Sequence, residues 1–524
     1  MNNDLLKTFV PQGYDAEFLC GTATIKIPSE QIIEIARAMY ADERLSFKSI
    51  TATDERVSHG NFRVLYIFGI KGSDQFVIPY IELRDTEAFP SISPFIREAG
   101  NFELKIRALM GLIPEGHPDH RRLILHEAFP DKTYPLRKDF SEKDLGDVEK
   151  QTGTPFKFQQ VNGEGVYEIP VGPIHAGIIE PGHFRISVMG EEIVYLEPRL
   201  GFVHKGSEKM LERLSLANKI RLSEKISGDT SFNHSLAFCQ AVEKLGNIDV
   251  PQRAEYLRVI YAEIERLANH ISDVGGILLD TGFNFGGAAG ARLREQVMRI
   301  SEKLAGNRFL RGINTVGGVT KDIDTKSAEH IVKQINSIRT DLNEVIDIVE
   351  QSALVLNRLK TTGTVPAGAS VYGARGIAAR CVGIMRDARA DHPYAAYGKL
   401  KCPVTLEQAG DVYARFHMRT KEIENSFALI ERALKDIPAG AIKTDVAHIS
   451  LQKNACAVGI AEGHRGENVY FVATDSQGEI SRVDITDPSF LNWDVIGTAA
   501  PGNIVPDFPL VNKSFGLSYS GYDV

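Results

Sequence analysis

No two of the five cysteines (Cys20, Cys239, Cys381, Cys402 and Cys456) lie within twenty residues of each other. The chain therefore has no Cys-x-x-Cys pair, no local zinc knuckle and no iron–sulfur ligand run. Reduced, mostly buried thiols are the expectation, because free cysteine packs as a small hydrophobe. No apolar run approaches the roughly 20 residues that span a bilayer. The opening, MNNDLLKTFVPQGYDAEF, lacks a basic stretch followed by an apolar one, so no signal peptide is expected and the expected location is cytoplasmic. Concentrated positive charge is missing too: 60 Lys and Arg stand against 68 Asp and Glu, a net charge of -8. Phosphate neutralisation needs clustered Lys and Arg, so no nucleic-acid partner is expected.

What is present is a chain of 524 residues, enough for two or three domains. The expected class is α+β. Residues 1–145 read as a small α/β module, 146–165 as a polar, Gly-containing linker, and 166–524 as a mainly helical bundle with small sheet elements. In the module, SEQIIEIARAMYADE starts with Ser29 as a helix N-cap. NFRVLYIFGIKG and QFVIPYIELRD flank a Gly-containing turn and predict a hairpin. Residues 117–140, dense in Pro and charge, predict an ordered irregular tail. Its His120-Arg121-Arg122 run predicts a solvated or interface surface.

Beyond the linker, residues 166–206 alternate like strands of a small sheet. A helix follows Asp249 (an N-cap candidate) and Pro251, with Tyr256, Val259, Ile260, Ile264, Leu267 and Ile271 on one face and Gly275-Gly276 weakening its end. Three more amphipathic helices are predicted over 291–305, 328–360 and 406–437. Residues 466–486 predict two strands around the turn DSQG.

Three clusters stand out: GPIHAGIIEPGHFR (172–185), EKISGDTSFNHS (224–235) and DITDPSFLNW (484–493). Together they resemble the large subunit of nickel–iron (NiFe) hydrogenases of the membrane-bound, energy-converting, formate hydrogenlyase type, and the large peripheral-arm subunit of complex I. Residues 117–140 resemble the closing segment of the small hydrophilic subunit of complex I, fused in front as in formate hydrogenlyase-type chains. In the hydrogenase family the second cluster carries a Cys-x-x-Cys pair, and a second such pair precedes a histidine near the C-terminus. Here the first pair falls on Ser227 and Thr230, the second on Ser489 and Asn492, and the histidine on Val495; Lys225 replaces an arginine, while Gly228, His234 and Ser235 remain. A hydroxyl or amide cannot replace a bridging thiolate, so the resemblance implies no NiFe centre and no metal held by this chain.

The resemblance implies further expectations. The chain would be a subunit of a membrane-associated oxidoreductase, receiving electrons from an iron–sulfur small subunit and joined to antiporter-like membrane-arm subunits at the inner face of the cell membrane. The alternative is a non-catalytic scaffold subunit. A quinone is a possible ligand. His175 fits the loop of the histidine that holds quinone in complex I, but no tyrosine lies between 196 and 255 to complete the pair. Catalytic candidates are His175, Glu180, His183 and Arg380. The former ligand frame, as a substrate cavity, comprises Ser227, Asp229, Thr230, His234, Ser489 and Asn492. His183 and His234 equally suit hydrogen-bonded core roles, and Glu180 a turn cap. Arg380 and Arg389 are expected to pair with carboxylates such as Asp387 and Asp391. The separated segments are expected to converge, with Ser227 and Ser489 as neighbours.

Overall fold

The computed structural model describes residues 4–146, 155–445 and 448–524. In the N-terminal module, β1 (Ala16–Leu19), β2 (Thr22–Lys26), β3 (Leu45–Glu55), β4 (Asn61–Ile70) and β5 (Phe76–Leu83) form one sheet in the order β1-β2-β5-β4-β3. β4 and β5 form the predicted hairpin, with Phe62 opposite Leu83 and Gly69 opposite Phe76. Helices α1 (Ile32–Ala41) and α2 (Gly100–Met110) pack on this sheet. Ser29 does not cap α1. It opens a tight turn, Ser29–Gln31, that leads into the helix without a side-chain cap bond. Residues 117–140 hold no helix or strand, as expected.

The large domain begins with an antiparallel sheet of β6 (Val166–Val171), β7 (His183–Met189) and β8 (Glu192–Arg199), in the order β8-β7-β6. Five long helices follow: α3 (Ser231–Gly246), α4 (Gln252–Asp280), α5 (Asn284–Ala305), α6 (Thr325–Gln351) and α7 (Val412–Asp436). A second antiparallel sheet, β9 (Cys456–Gly463), β10 (Gly466–Thr474) and β11 (Ile480–Thr486), precedes α8 (Ser489–Ala499) and the short α9 (Tyr519–Tyr522).

Several boundaries differ from the sequence expectation, each for a local reason. Pro251 occupies the cap position of α4, so Asp249 lies outside the helix. Gly275-Gly276 do not weaken α4, which continues to Asp280. A Cβ on Gly290 would stand 2.5 Å from the Gly275 Cα. The two glycines therefore let α4 and α5 cross backbone against backbone. The 328–360 helix breaks at Ser352, whose hydroxyl accepts from the Val355 amide at 3.4 Å. The 406–437 helix starts only at Val412, because the Asp411 carboxylate caps it through the Ala414 amide at 2.7 Å.

Module and large domain share a buried interface. Residues 155–165 contain no helix or strand, but the Gln159 amide donates to Glu197 at 2.8 Å; residues 147–154 of the expected linker lie outside the described residues. One apolar core runs through both parts. Buried ion pairs cross between them: Lys48–Glu467 at 2.6 Å, Lys105–Glu208 at 2.7 Å and Arg375–Glu98 at 3.0 Å. Arg121 pairs with Asp119 and with Glu197 of β8, so the basic run is an interface element. All five cysteines are free, and only Cys402 is not fully buried. Burial pushes their thiols up, Cys20 to about 11.

Candidate functional site

The turn between β9 and β10, Gly463-His464-Arg465-Gly466, reaches into the helical domain at the N-terminus of α3. Arg465 meets the Asp229 carboxylate with two bonds, Nη1 to Oδ1 at 2.7 Å and Nη2 to Oδ2 at 2.6 Å. The same Nη1 lies 3.2 Å from Thr230 Oγ1 and 3.5 Å from Ser227 Oγ, and Nε donates to the Gly516 carbonyl. Ser227 and Thr230 hydroxyls both donate to Asp229 Oδ1, at 3.1 and 3.0 Å. A guanidinium thus sits between the two positions where the resemblance would place thiolates. Although burial opposes it, the Arg465 charge holds the Asp229 carboxyl far below the usual range.

Ser227 and Ser489 are neighbours, as expected, but through a third residue. Ser518 Oγ lies 2.9 Å from Ser227 Oγ, and the Ser518 amide donates to Ser489 Oγ at 3.0 Å. Asn492 does not join this group. Its Oδ1 accepts from the Arg375 amide at 2.9 Å, one network away. Ser518 and Gly521 repeat the three-residue spacing of Ser227 and Thr230, and the Gly521 amide donates to Ser518 Oγ at 2.9 Å. His234 is fully buried between Tyr470 Oη at 3.0 Å and Asp487 Oδ2 at 3.2 Å, which is the core role rather than a ligand-facing one.

This donor set does not fit a soft-metal centre. It offers hydroxyls where low-valent nickel or iron needs thiolates, and it already holds a cation. Among the described residues, no group of three or more His, Cys, Asp or Glu is arranged to hold a metal ion. The cleft next to Asp229, which Glu265 and Asn269 also line, has a volume of only about 10 Å³. That is about the space of one water.

The first cluster forms the outer edge of the site. His175 Nε2 lies 3.3 Å from the Tyr519 hydroxyl, and Glu180 Oε2 accepts from the Ser520 amide at 2.9 Å. A Cβ on Gly182 would meet the Tyr519 ring at 2.3 Å, so glycine at this position of the motif makes room for the tyrosine. Burial pushes the Tyr519 phenol up to about 12 and lowers His175, which keeps the imidazole neutral at pH 7. His183 Nδ1 lies 3.3 Å from the Gly172 carbonyl oxygen, and its ring packs on Phe158. The loop between β6 and β7 leaves Ile174 86% and Ile178 99% exposed.

Arg380 does not face this edge. It is fully buried behind the β9–β10 turn, paired with Asp387, with Glu422 at 3.3 Å and with Glu462 at 3.5 Å. Arg389 pairs with Asp387, Glu263 and Glu422, and neither arginine pairs with Asp391. Sequence reasoning missed Arg465, Ser518 and Tyr519. The available signals were a cation between two glycines in an apolar strand pair, and the Ser-x-x-Gly spacing in SYSGYD.

Arg465→Met leaves Asp229 unpaired and should destabilise the chain by about 3 kcal/mol, the low end for a broken buried pair because the Asp229 side chain is one-third exposed. Asp229 has a depressed native pKa, so the pair's contribution is complete above the ordinary carboxylate range and lost only in strong acid. Denaturant unfolding at neutral pH should show the full difference between variant and parent.

Comparison with known proteins agrees with this architecture. Residues 25–144 match the family described as respiratory-chain NADH dehydrogenase, 30 Kd subunit, and residues 280–459 the 49 Kd subunit family. The chain is 32% identical to hydrogenase-4 component G of Escherichia coli (strain K12), covering 96% of this chain and 88% of that one. It is 31% identical to formate hydrogenlyase subunit 5 of the same strain, with the same coverage. The C/D-type NADH-quinone oxidoreductase subunit of Phocaeicola vulgatus is 28% identical over 87% of this chain and 90% of its own. With its 30 Kd-type module fused ahead of a 49 Kd-type domain, the chain belongs to the family that unites these energy-converting hydrogenase subunits with the C/D-type subunits of complex I.

Proposed function

We propose that this chain takes electrons from an iron–sulfur partner subunit within a membrane-attached complex, and that it does so without a NiFe centre. It would lie at the inner face of the membrane, joined to antiporter-like membrane subunits through its partners. No helix among the described residues is long and apolar enough to cross a membrane. The observation that carries the reading is the loop beside the frame, where Ile174 and Ile178 stand almost wholly in water. Apolar residues exposed next to polar site groups suit a face that a partner covers. The relatives named as hydrogenase and quinone oxidoreductase subunits support the same reading.

The acceptor would be a quinone-like or other small redox compound meeting His175 and Tyr519. A neutral imidazole and a phenol 3.3 Å apart can each donate one hydrogen bond to an acceptor with two carbonyl oxygens. Tyr519 would supply the phenol that the 196–255 stretch lacks. A specific observation favours the second reading, a non-catalytic scaffold: Arg465 fills the frame, and little open space remains beside it.

Three measurements test these readings. Elemental analysis of the purified chain should find neither nickel nor iron at stoichiometric levels; one nickel per chain would overturn the proposal. Ile178→Asp should abolish co-purification with the iron–sulfur subunit while circular dichroism stays unchanged. In the assembled complex, His175→Ala should slow electron transfer to a soluble quinone analogue by at least about tenfold, the loss of roughly 1.4 kcal/mol of interaction. An unchanged rate would leave the scaffold reading.

A further inference from the structure

Behind the β9–β10 turn lies an ion cluster that the proposed function does not use. Three guanidiniums, Arg266, Arg380 and Arg389, face four carboxyls, Glu263, Asp387, Glu422 and Glu462, and all seven residues are at most 1% exposed. Three positive charges against four carboxyls leave one negative charge uncompensated if every carboxyl ionises. An unpaired buried charge is costly, and such groups neutralise instead.

Geometry selects which carboxyl does so. Asp387 is bound by Arg380 and by Arg389 at 2.7 Å. Glu422 is bound by Arg266, by Arg389 at 2.9 Å and by Arg380 at 3.3 Å. Glu263 receives Tyr397 and Ser426 hydroxyls at 2.6 Å each, with Arg389 at 3.2 Å. Among the described residues Glu462 has one ion-pair contact, Arg380 at 3.5 Å; its Oε2 accepts from the Ala388 amide at 2.9 Å, which leaves Oε1 without a hydrogen bond and free to carry the proton.

We propose that Glu462 is a proton-binding site, holding the one proton that balances this cluster. Burial, then the charge of Asp387, pushes Glu462 up to about 8, against the opposing effect of the three arginines. Glu422, despite burial, is held at about 2 by the same arginines. The other titratable neighbours do not supply a counter-charge. The Tyr394 hydroxyl accepts from the Glu462 amide at 2.8 Å. His464 is neutral, since burial and then Arg465 lower it well below its usual value. Glu467, opposite Glu462 on β10, is already paired with Lys48 at 2.6 Å and Arg375 at 2.8 Å. Glu462 lies three residues before Arg465. On the redox reading above, charge reaching the frame and protonation of Glu462 would therefore be coupled.

The test needs no redox activity, so its failure leaves that reading standing. Calorimetric unfolding of the full chain at pH 7, in buffers of differing ionisation heat, counts the protons released. The parent should release one more than Glu462→Gln. The stabilising effect of this proton should be lost as pH rises through about 8, because the native value is raised above the unfolded one. The infrared difference between the parent and Glu462→Gln at neutral pH should show one protonated carboxylic-acid carbonyl band that the variant lacks and that disappears in alkali; the band of Glu265, which burial also pushes up to about 8, is common to both. If Glu462→Gln fails to fold, the parent is compared with Glu265→Gln, in which a protonated carboxyl band titrating near 8 should remain. Equal proton counts, or a parent without the band, would overturn the proposal.

Discussion

The ion pair between Arg465 and Asp229 is the contact around which the site is arranged. One arginine, carried on the tip of a strand turn, ties together separate chain segments. Asp229 and the two hydroxyls beside it come from the entry to α3, and the Gly516 carbonyl comes from the segment that delivers Ser518 and Tyr519. In a medium of low dielectric such a cation is tolerated only with a carboxylate and oriented dipoles around it. The frame supplies both. Four thiolates would bring a large negative charge that metals must balance. One carboxylate needs only one guanidinium, and the site is electrically complete without metal.

The same accounting explains why charge is buried so deeply behind the turn. Arg266, Arg380 and Arg389 share carboxylates that lock α4, α7 and the 376–391 stretch to the end of β9. Replacing such a network by apolar residues is often neutral or stabilising. Its worth here lies in geometry: Arg266, which pairs with Glu422, donates to the Gly463 carbonyl at 2.6 Å and fixes the turn that carries Arg465, where apolar contacts would let it slide. Arg380 therefore acts on the site through the position of that turn.

What the sequence disclosed follows from which faces meet water. α6 and α7 keep a polar side, so their period shows, and the β4–β5 hairpin shows by its turn. α3 was hidden because it is central. Ser231, Asn233, His234 and Ser235 are as buried as its apolar residues, which erases the amphipathic stripe. α8 is masked for the same reason. β9, CAVGIAEG, lacks the bulky branched residues of a typical strand. A Cβ on Gly459 would strike the Ala237 carbonyl, so its small residues answer to the packing of α3. In the site, Ser227 and Thr230 were legible from local spacing. Arg465 and Tyr519 were not, because their partners lie 236 and 344 residues away.

The energetics also say where a small molecule could enter. Reaching Ser227 means displacing Arg465 from Asp229, Thr230 and the Gly516 carbonyl, which breaks a buried charged pair at about 3 kcal/mol or more. Swinging the His175 ring away from Tyr519 breaks one long neutral contact of 3.3 Å and leaves the bond from the Ser520 amide to Glu180 in place. Such a neutral contact contributes about 1 kcal/mol. The neighbouring Ile174 and Ile178 make the loop's present position less favourable still, because apolar surface in water favours any arrangement that covers it. The outer edge therefore yields first. A molecule arriving there would contact His175 and Tyr519 while the arginine-filled frame stays closed behind them.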